Sequence, residues 1–202
     1  MKKPLHVIRW VVLSFLATVL FQPETQAQSE QGVPVFQITP VVSKITFHVN
    51  ASVSIEGTFE KWDSTLTFTS ADVSTGHVDI KIQADSVNTG SKSKDKKLKG
   101  KDCFDVENNP YITFHSTKIV QTGPYTFDVP GTFTLRGISK TESLTLTVNK
   151  ADERSGKIDG TLAIDRRDYG LSGKIPFVKI ANRVDVTIAL KAKRVSGPAL
   201  VK

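Results

Sequence analysis

From Lys44 onward the chain alternates apolar and polar residues one by one, the period of a strand with one buried face. Ile45, Phe47 and Val49 are separated by Thr46 and His48; Leu66 and Phe68 by Thr67; Val78, Ile80, Ile82 and Ala84 by Asp79, Lys81 and Gln83. The same beat returns at Phe133 and Leu135, at Leu144, Leu146 and Val148, at Ile158, Leu162 and Ile164, and at Val184, Val186, Ile188 and Leu190. The opposite face is threonine and charge. One dry and one wet face imply antiparallel strands. Turn signals at Ser74-Thr75-Gly76, Thr122-Gly123-Pro124, Arg136-Gly137 and Ser155-Gly156 divide the run. The result is about eight to ten strands and an all-β class.

One long crossover breaks the beat, from Ser86 to Ser116. It is lysine-rich and predicts a short helix from Ser93 with Gly100 as its stop. An apolar knot follows, Cys103-Phe104-Asp105-Val106, and the strand pattern resumes after Pro110. Long connections on a rigid sheet are where binding residues concentrate. An antiparallel sheet of about eight strands hides its edges by closing into a barrel, whose interior is filled or holds one small ligand. A two-sheet sandwich satisfies the same alternation. Phe47, Phe59, Phe68, Phe114, Phe127 and Phe133 serve equally to line a tube or to plug it.

The first residues change the picture of where the protein works. Lys2, Lys3 and Arg9 precede an apolar run from Trp10 to Phe21, and Thr25-Gln26-Ala27 offers a small-x-small cleavage site. Residues 1–27 therefore read as a cleaved signal peptide, and the run is too short for a membrane-spanning helix. A polar lead (28–33) and a single domain (34–202) follow, with a periplasmic or secreted location expected. The formal net charge is +7. Much of it sits in one window, Lys92 to Lys101, with six lysines against one aspartate. That is a patch, not the general basic coat that nucleic-acid binding favours. Cys103 is the only cysteine, so no disulfide framework exists, and its apolar neighbours suit a buried thiol.

Several stretches carry a family signature: Gly57-Thr58-Phe59, Ser86-Val87-Asn88-Thr89-Gly90, Lys94-Asp95-x-x-Leu98, Asp102-Cys103-Phe104-Asp105-Val106, Ile112-Thr113-Phe114-His115-Ser116, Gly131 to Gly137, and Asp165 to Gly170. In this order and spacing the chain resembles the YceI-like proteins. The resemblance implies an exported, lipocalin-like antiparallel barrel whose lumen takes a long polyisoprenoid tail, with no chemistry attached to the fold. Three positions depart from the pattern: Lys94 stands in place of arginine, Lys97 in place of histidine, and Cys103 in place of a phenylalanine.

The candidate ligand wall is Phe47, Phe59, Leu98, Phe104, Phe114, Phe133 and Leu146, with Lys94, Lys97 and Arg166 near a head group. Asp95 reads as a cap or as the i,i+4 partner of Lys99. Asp105 reads as a turn residue. Alternation from Leu135 sends Arg136 outward, while alternation from Ile164 sends Arg166 inward. An inward arginine is either a head-group anchor or a barrel-end ion pair with Asp165 or Asp168. His48, His77 and His115 lack ligand-like spacing, so no metal is expected. No nucleophile motif is present, so no enzyme is expected. The expectation is an exported carrier or store for an extended apolar lipid, a polyisoprenoid such as a quinone or a prenyl phosphate, with transient contact at an anionic membrane and no cofactor of its own. A dimer is compatible with it. The alternative is a stress-related surface protein with a filled barrel, whose lysines bind anionic membrane or polymer.

Overall fold

The structure, a computed structural model, describes residues 32–52, 54–150, 152, 154–171 and 179–200. The expected signal peptide and most of the polar lead lie outside the described residues. Among the described residues twelve strands form one antiparallel sheet. They are β1 (Val35–Ile38), β2 (Lys44–Ala51), β3 (Ile55–Phe59), β4 (Trp62–Thr67), β5 (His77–Gln83), β6 (Val87–Asn88), β7 (Tyr111–Ser116), β8 (Val120–Gln121), β9 (Thr126–Leu135), β10 (Ile138–Lys150), β11 (Ser155–Asp165) and β12 (Ile180–Ser196). An α-helix, α1 (Lys92–Lys99), lies in the crossover. The sequence-predicted turn at Ser155-Gly156 falls instead on the first two residues of β11, which pair with Lys193 and Ala192 of β12.

The sheet closes because two of its staves are bent. β3 pairs with β2 on one side and with β6 on the other. Its continuation β4 pairs with β5, which itself runs on into β6. The bends are stitched by hydrogen bonds: Glu60 N–H donates to Ser86 O at 3.1 Å and Gln83 N–H to Lys61 O at 2.9 Å. β1 and β2 likewise share one edge of β12, and β1 packs on β4 at the far end, where Phe36 meets Phe68. Merging the bent segments gives eight staves: β3–β4, β5–β6, β7, β9, β10, β11, β12 and β1–β2. Each alternation read from sequence faces inward, so the dry faces form one continuous core. The architecture is a curled antiparallel barrel of the lipocalin-like kind, not two stacked sheets.

The two ends differ. One is occupied by the crossover, the β9–β10 turn and a 3-10 turn at Arg166–Tyr169. The other is packed by side chains, including Phe127 opposite Leu146 and Leu146 against Gly160.

Candidate functional site

Beneath α1 lies a cavity of about 360 Å³. This is near the lower bound of the ~300–1,000 Å³ typical of small-molecule sites. Its wall is almost wholly apolar. Phe47, Val49, Ile55 and Phe59 come from β2 and β3; Ile82, Ile112, Phe133 and Leu135 from β5, β7 and β9; Ile164, Val184 and Val186 from β11 and β12. Phe47 lies directly opposite Gly57 in register. A Cβ on Gly57 would fall 2.5 Å from the tip of that ring, so glycine is what lets the ring lie flat against the wall.

The cover is built by the crossover. The end of α1 and the knot after it are tied by backbone bonds, Phe104 N–H to Leu98 O at 2.9 Å and Val106 N–H to Lys99 O at 3.1 Å. These turn Phe104 down onto Phe59 and Phe47, with ring centroids 5.9 and 6.5 Å apart. Phe47 and Phe59 complete the triangle at 5.6 Å. Leu98 and Cys103 close the remaining cover. Burial pushes the Cys103 thiol up, with Lys97 nearby pulling the other way. A protonated, buried thiol suits a packing role.

Charge is confined to the rim. Lys94, Lys97 and Arg166 border the cavity, the two lysines exposed on α1. Asp95 does not add an anion free to neutralise them. Its carboxylate accepts from Thr89 N–H at 2.8 Å and Thr89 Oγ1 at 2.6 Å. Those donors, first the hydroxyl, and at longer range Lys99, hold its carboxyl below the usual range. The carboxylate thus ties α1 back to Thr89 in the turn before the helix.

Arg166 points to the cavity but is not held by the acids beside it. It donates to Leu171 O at 2.6 Å, Ala181 O at 3.0 Å and Ile180 O at 3.4 Å, pinning the rim turn to β12. Asp165 is taken by Arg167 at 2.6 Å and Asp168 by Lys140 at 3.2 Å. Of the two roles the sequence left open for Arg166, the ion pair with Asp165 or Asp168 is not formed, and its donors go to these carbonyls and, at 3.5 Å, to Asn182 Oδ1.

Arg136 is also corrected. It does not simply face outward, because it sits in the tight β9–β10 turn with φ 53°, followed by Gly137 at φ 71°. From there its guanidinium donates to Lys101 O at 2.7 Å and to Gly170 O. One side chain thus clasps the crossover, the hairpin turn and the rim turn. The left-handed turn would favour Asn or Gly at this position. Arg136→Ala is expected to cost about 1–2 kcal/mol, since two charge-assisted bonds at a partly exposed site are lost. Faster amide exchange confined to 98–106 and 166–171 in that variant is the measurement that checks it.

Eight of the ten candidate residues border the cavity: Phe47, Phe59, Lys94, Lys97, Leu98, Phe104, Phe133 and Arg166. Phe114 and Leu146 do not. Both face inward, but Phe114 lies lower, beside a void of about 20 Å³, and Leu146 lies in the packed end. Sequence reasoning left out Val49, Ile82, Ile112 and Val184, although they share the parity of residues it used. Tyr169, buried behind the rim turn against Phe133, carried no alternation signal because it lies on a 3-10 turn. His48 and His115 are outside the barrel, bonded to Glu56 and Asp79 at 3.1 and 2.7 Å. Among the described residues no three His, Cys, Asp or Glu side chains are grouped to hold a metal ion.

This arrangement can enclose an apolar chain and meet a polar end at the rim. The fold is shared with known proteins. The family model of the YceI-like domain matches residues 36–192. A UPF0312 protein of Pseudomonas syringae is 32% identical over 128 residues, covering 60% of this chain and 66% of that protein. The chain thus spans just under two thirds of that relative's length. The crystal structure of Burkholderia cenocepacia BcnA superposes with a TM-score of 0.70 at 26% identity, covering 77% of this chain and 99% of BcnA. A polyisoprenoid binding domain from Saccharophagus degradans, implicated in plant cell wall breakdown, gives 0.63 at 16% identity, over 80% of this chain and 99% of that one. The last likeness is one of fold alone. A barrel of this topology, matched by the family model over most of its length, makes the chain a member of the YceI-like family.

Proposed function

We propose that this YceI-like protein is an exported binding protein that holds an extended apolar lipid in its barrel, a polyisoprenoid such as a quinone or a prenyl phosphate, for transport, storage or sequestration. The observation that carries this reading is an apolar cavity of about 360 Å³ rimmed by Lys94, Lys97 and Arg166. Transfer of a hydrocarbon tail supplies ~0.8 kcal/mol per buried methylene, so few polar contacts are needed. The cationic rim suits a phosphate or a quinone carbonyl. A polyisoprenoid binding domain with the same fold supports the choice of tail. The test is solvent extraction of protein purified from its native host, followed by mass spectrometry. The expected result is a co-purifying prenyl lipid that added quinone or prenyl phosphate displaces. Protein that is consistently empty and ignores both ligands would sink the reading.

The same helix suits a brief meeting with the membrane that supplies the cargo. Lys92, Lys94, Lys96, Lys97 and Lys101 are exposed beside the mouth, and an anionic surface attracts such lysines by ~1 kcal/mol each. Vesicles containing phosphatidylglycerol are expected to retain the protein at low salt and release it as salt rises. Equal retention by neutral vesicles would count against this contact. The basic, apolar leader ending at Ala27 supports a periplasmic or secreted location, checked by N-terminal sequencing of the mature protein.

A further inference from the structure

Four residues belong to two spaces at once. Ile82, Ile112, Phe133 and Val186 line the upper cavity and also the 20 Å³ void beneath it. They come from β5, β7, β9 and β12, so they form a belt across the barrel at one level. Ile82 faces Ile112 directly across neighbouring strands. Below the belt the interior is packed closely around that small void. Ile45 is 0% exposed, Leu144 1%, Phe114 3% and Ile188 5%. The lower void is large enough for about one water-sized probe, not for a further isoprene unit.

Phe114 is the keystone of this lower layer. It lies opposite Ile80 on one strand and Phe133 on the other. Its ring occupies the space above Gly131, where a Cβ would fall 2.6 Å from the ring tip. The ring therefore fills a place that any other residue at 131 would contest. Val186 is different. It is only half-buried and faces the open cavity.

Resting on the lipid-carrier reading above, we infer that the belt is a length stop for the tail. The cavity accepts a prenyl chain up to a fixed number of isoprene units, and anything longer stays outside the mouth. Phe114 and Val186 are then specificity-determining residues for tail length, one from below the floor and one from above it.

The test titrates prenyl monophosphates of increasing length, from geranyl through farnesyl and geranylgeranyl to longer chains, each below its micelle concentration. The wild-type protein and two variants are compared, Val186→Phe and Phe114→Ala. Affinity of the wild type is expected to rise at least about tenfold per isoprene unit while each unit finds wall, then to level off. Val186→Phe adds a ring in space already empty, and the plateau should come one unit earlier. Phe114→Ala removes a ring of about the bulk of an isoprene unit and joins that space to the lower void, so the plateau should come one unit later. If Phe114→Ala does not fold, the Val186→Phe comparison decides alone. Plateaus at the same length in wild type and variants, with binding intact, would overturn the length stop while leaving the carrier reading in place. A wild type that binds no chain at all would overturn the carrier reading and the stop with it.

Discussion

Phe104→Ala is expected to lower the unfolding free energy by about 3 kcal/mol, and to open the cavity mouth in the same step. Phe-to-Ala changes in cores cost about 3–5 kcal/mol, the spread reflecting how many neighbours the ring loses. Phe104 is 8% exposed and packs on Phe47 and Phe59. Its other side borders the cavity, where there are no partner atoms to lose. That places the cost at the lower end of the range. The denaturation midpoint should fall with little change in slope, because the barrel itself is intact.

The same variant separates stability from binding. Phe104 is held over the cavity by bonds of its own backbone to α1, which alanine keeps. The crossover should therefore stay docked while the aromatic cover is gone. A bound tail then loses wall contact and gains an exit, so its dissociation rate should rise more than its association rate falls. Phe104→Leu restores most of the apolar bulk and should recover most of both effects. An alanine variant as stable as the wild type would show that the ring triangle contributes little to holding the cover shut.

The parts of this molecule that were legible in its sequence are those governed by neighbours two residues apart. Ile45, Phe47 and Val49 announce which way they point, because a strand between water and core has no other solution. The helix α1 was legible for a similarly local reason: a run without β-branched residues that ends at Gly100. Height along the barrel was not legible. Phe114 and Phe133 are both inward aromatics, yet only one meets the cavity. They are register partners on β7 and β9, so what separates them is the slant of the strands, which sets residues paired far along the chain at different heights. Leu146 fails for the same reason, its level being set by Phe127 and Gly160. Arg166 shows a further limit. Alternation aimed it at the cavity, but its guanidinium serves carbonyls of residues 171, 180 and 181. Backbone carbonyls carry no sequence signal, whereas the carboxylates of Asp165 and Asp168 beside it do. Lys140 and Glu142 share the parity of Leu144 and Leu146, so two charges on the dry side of β10 were a readable sign of a polar partner within. That partner is the 3-10 turn at Arg166–Tyr169, through Asp168 and Tyr169.

Tyr169 is where that turn meets the core, and its removal should be the most damaging single change at the rim. It is 0% exposed. Its ring stands edge-on to Phe133 at 5.5 Å, and its hydroxyl donates to Glu142 Oε1 at 2.8 Å. Tyr169→Ala is expected to cost about 4 kcal/mol, as for a large aromatic with no cavity beside it to soften the loss. Tyr169→Phe keeps the ring and should cost about 1–2 kcal/mol, for a hydrogen bond to a charged acceptor left half-buried. Alkaline pH distinguishes the two contributions. Burial, and then the carboxylate of Glu142, push the Tyr169 phenol above its ordinary range. The folded state therefore keeps this proton more tightly than the unfolded chain. The stability this provides is complete below the unfolded value of about 10 and drains away as pH climbs past it, by at most about 1.4 kcal/mol per pH unit. Tyr169→Phe has no such proton to lose. Unfolding free energies measured from pH 8 to 11 should therefore converge for wild type and Tyr169→Phe as pH rises. Curves that stay parallel would mean that the phenol is not held protonated by this rim, and that its bond to Glu142 is weaker than its geometry implies.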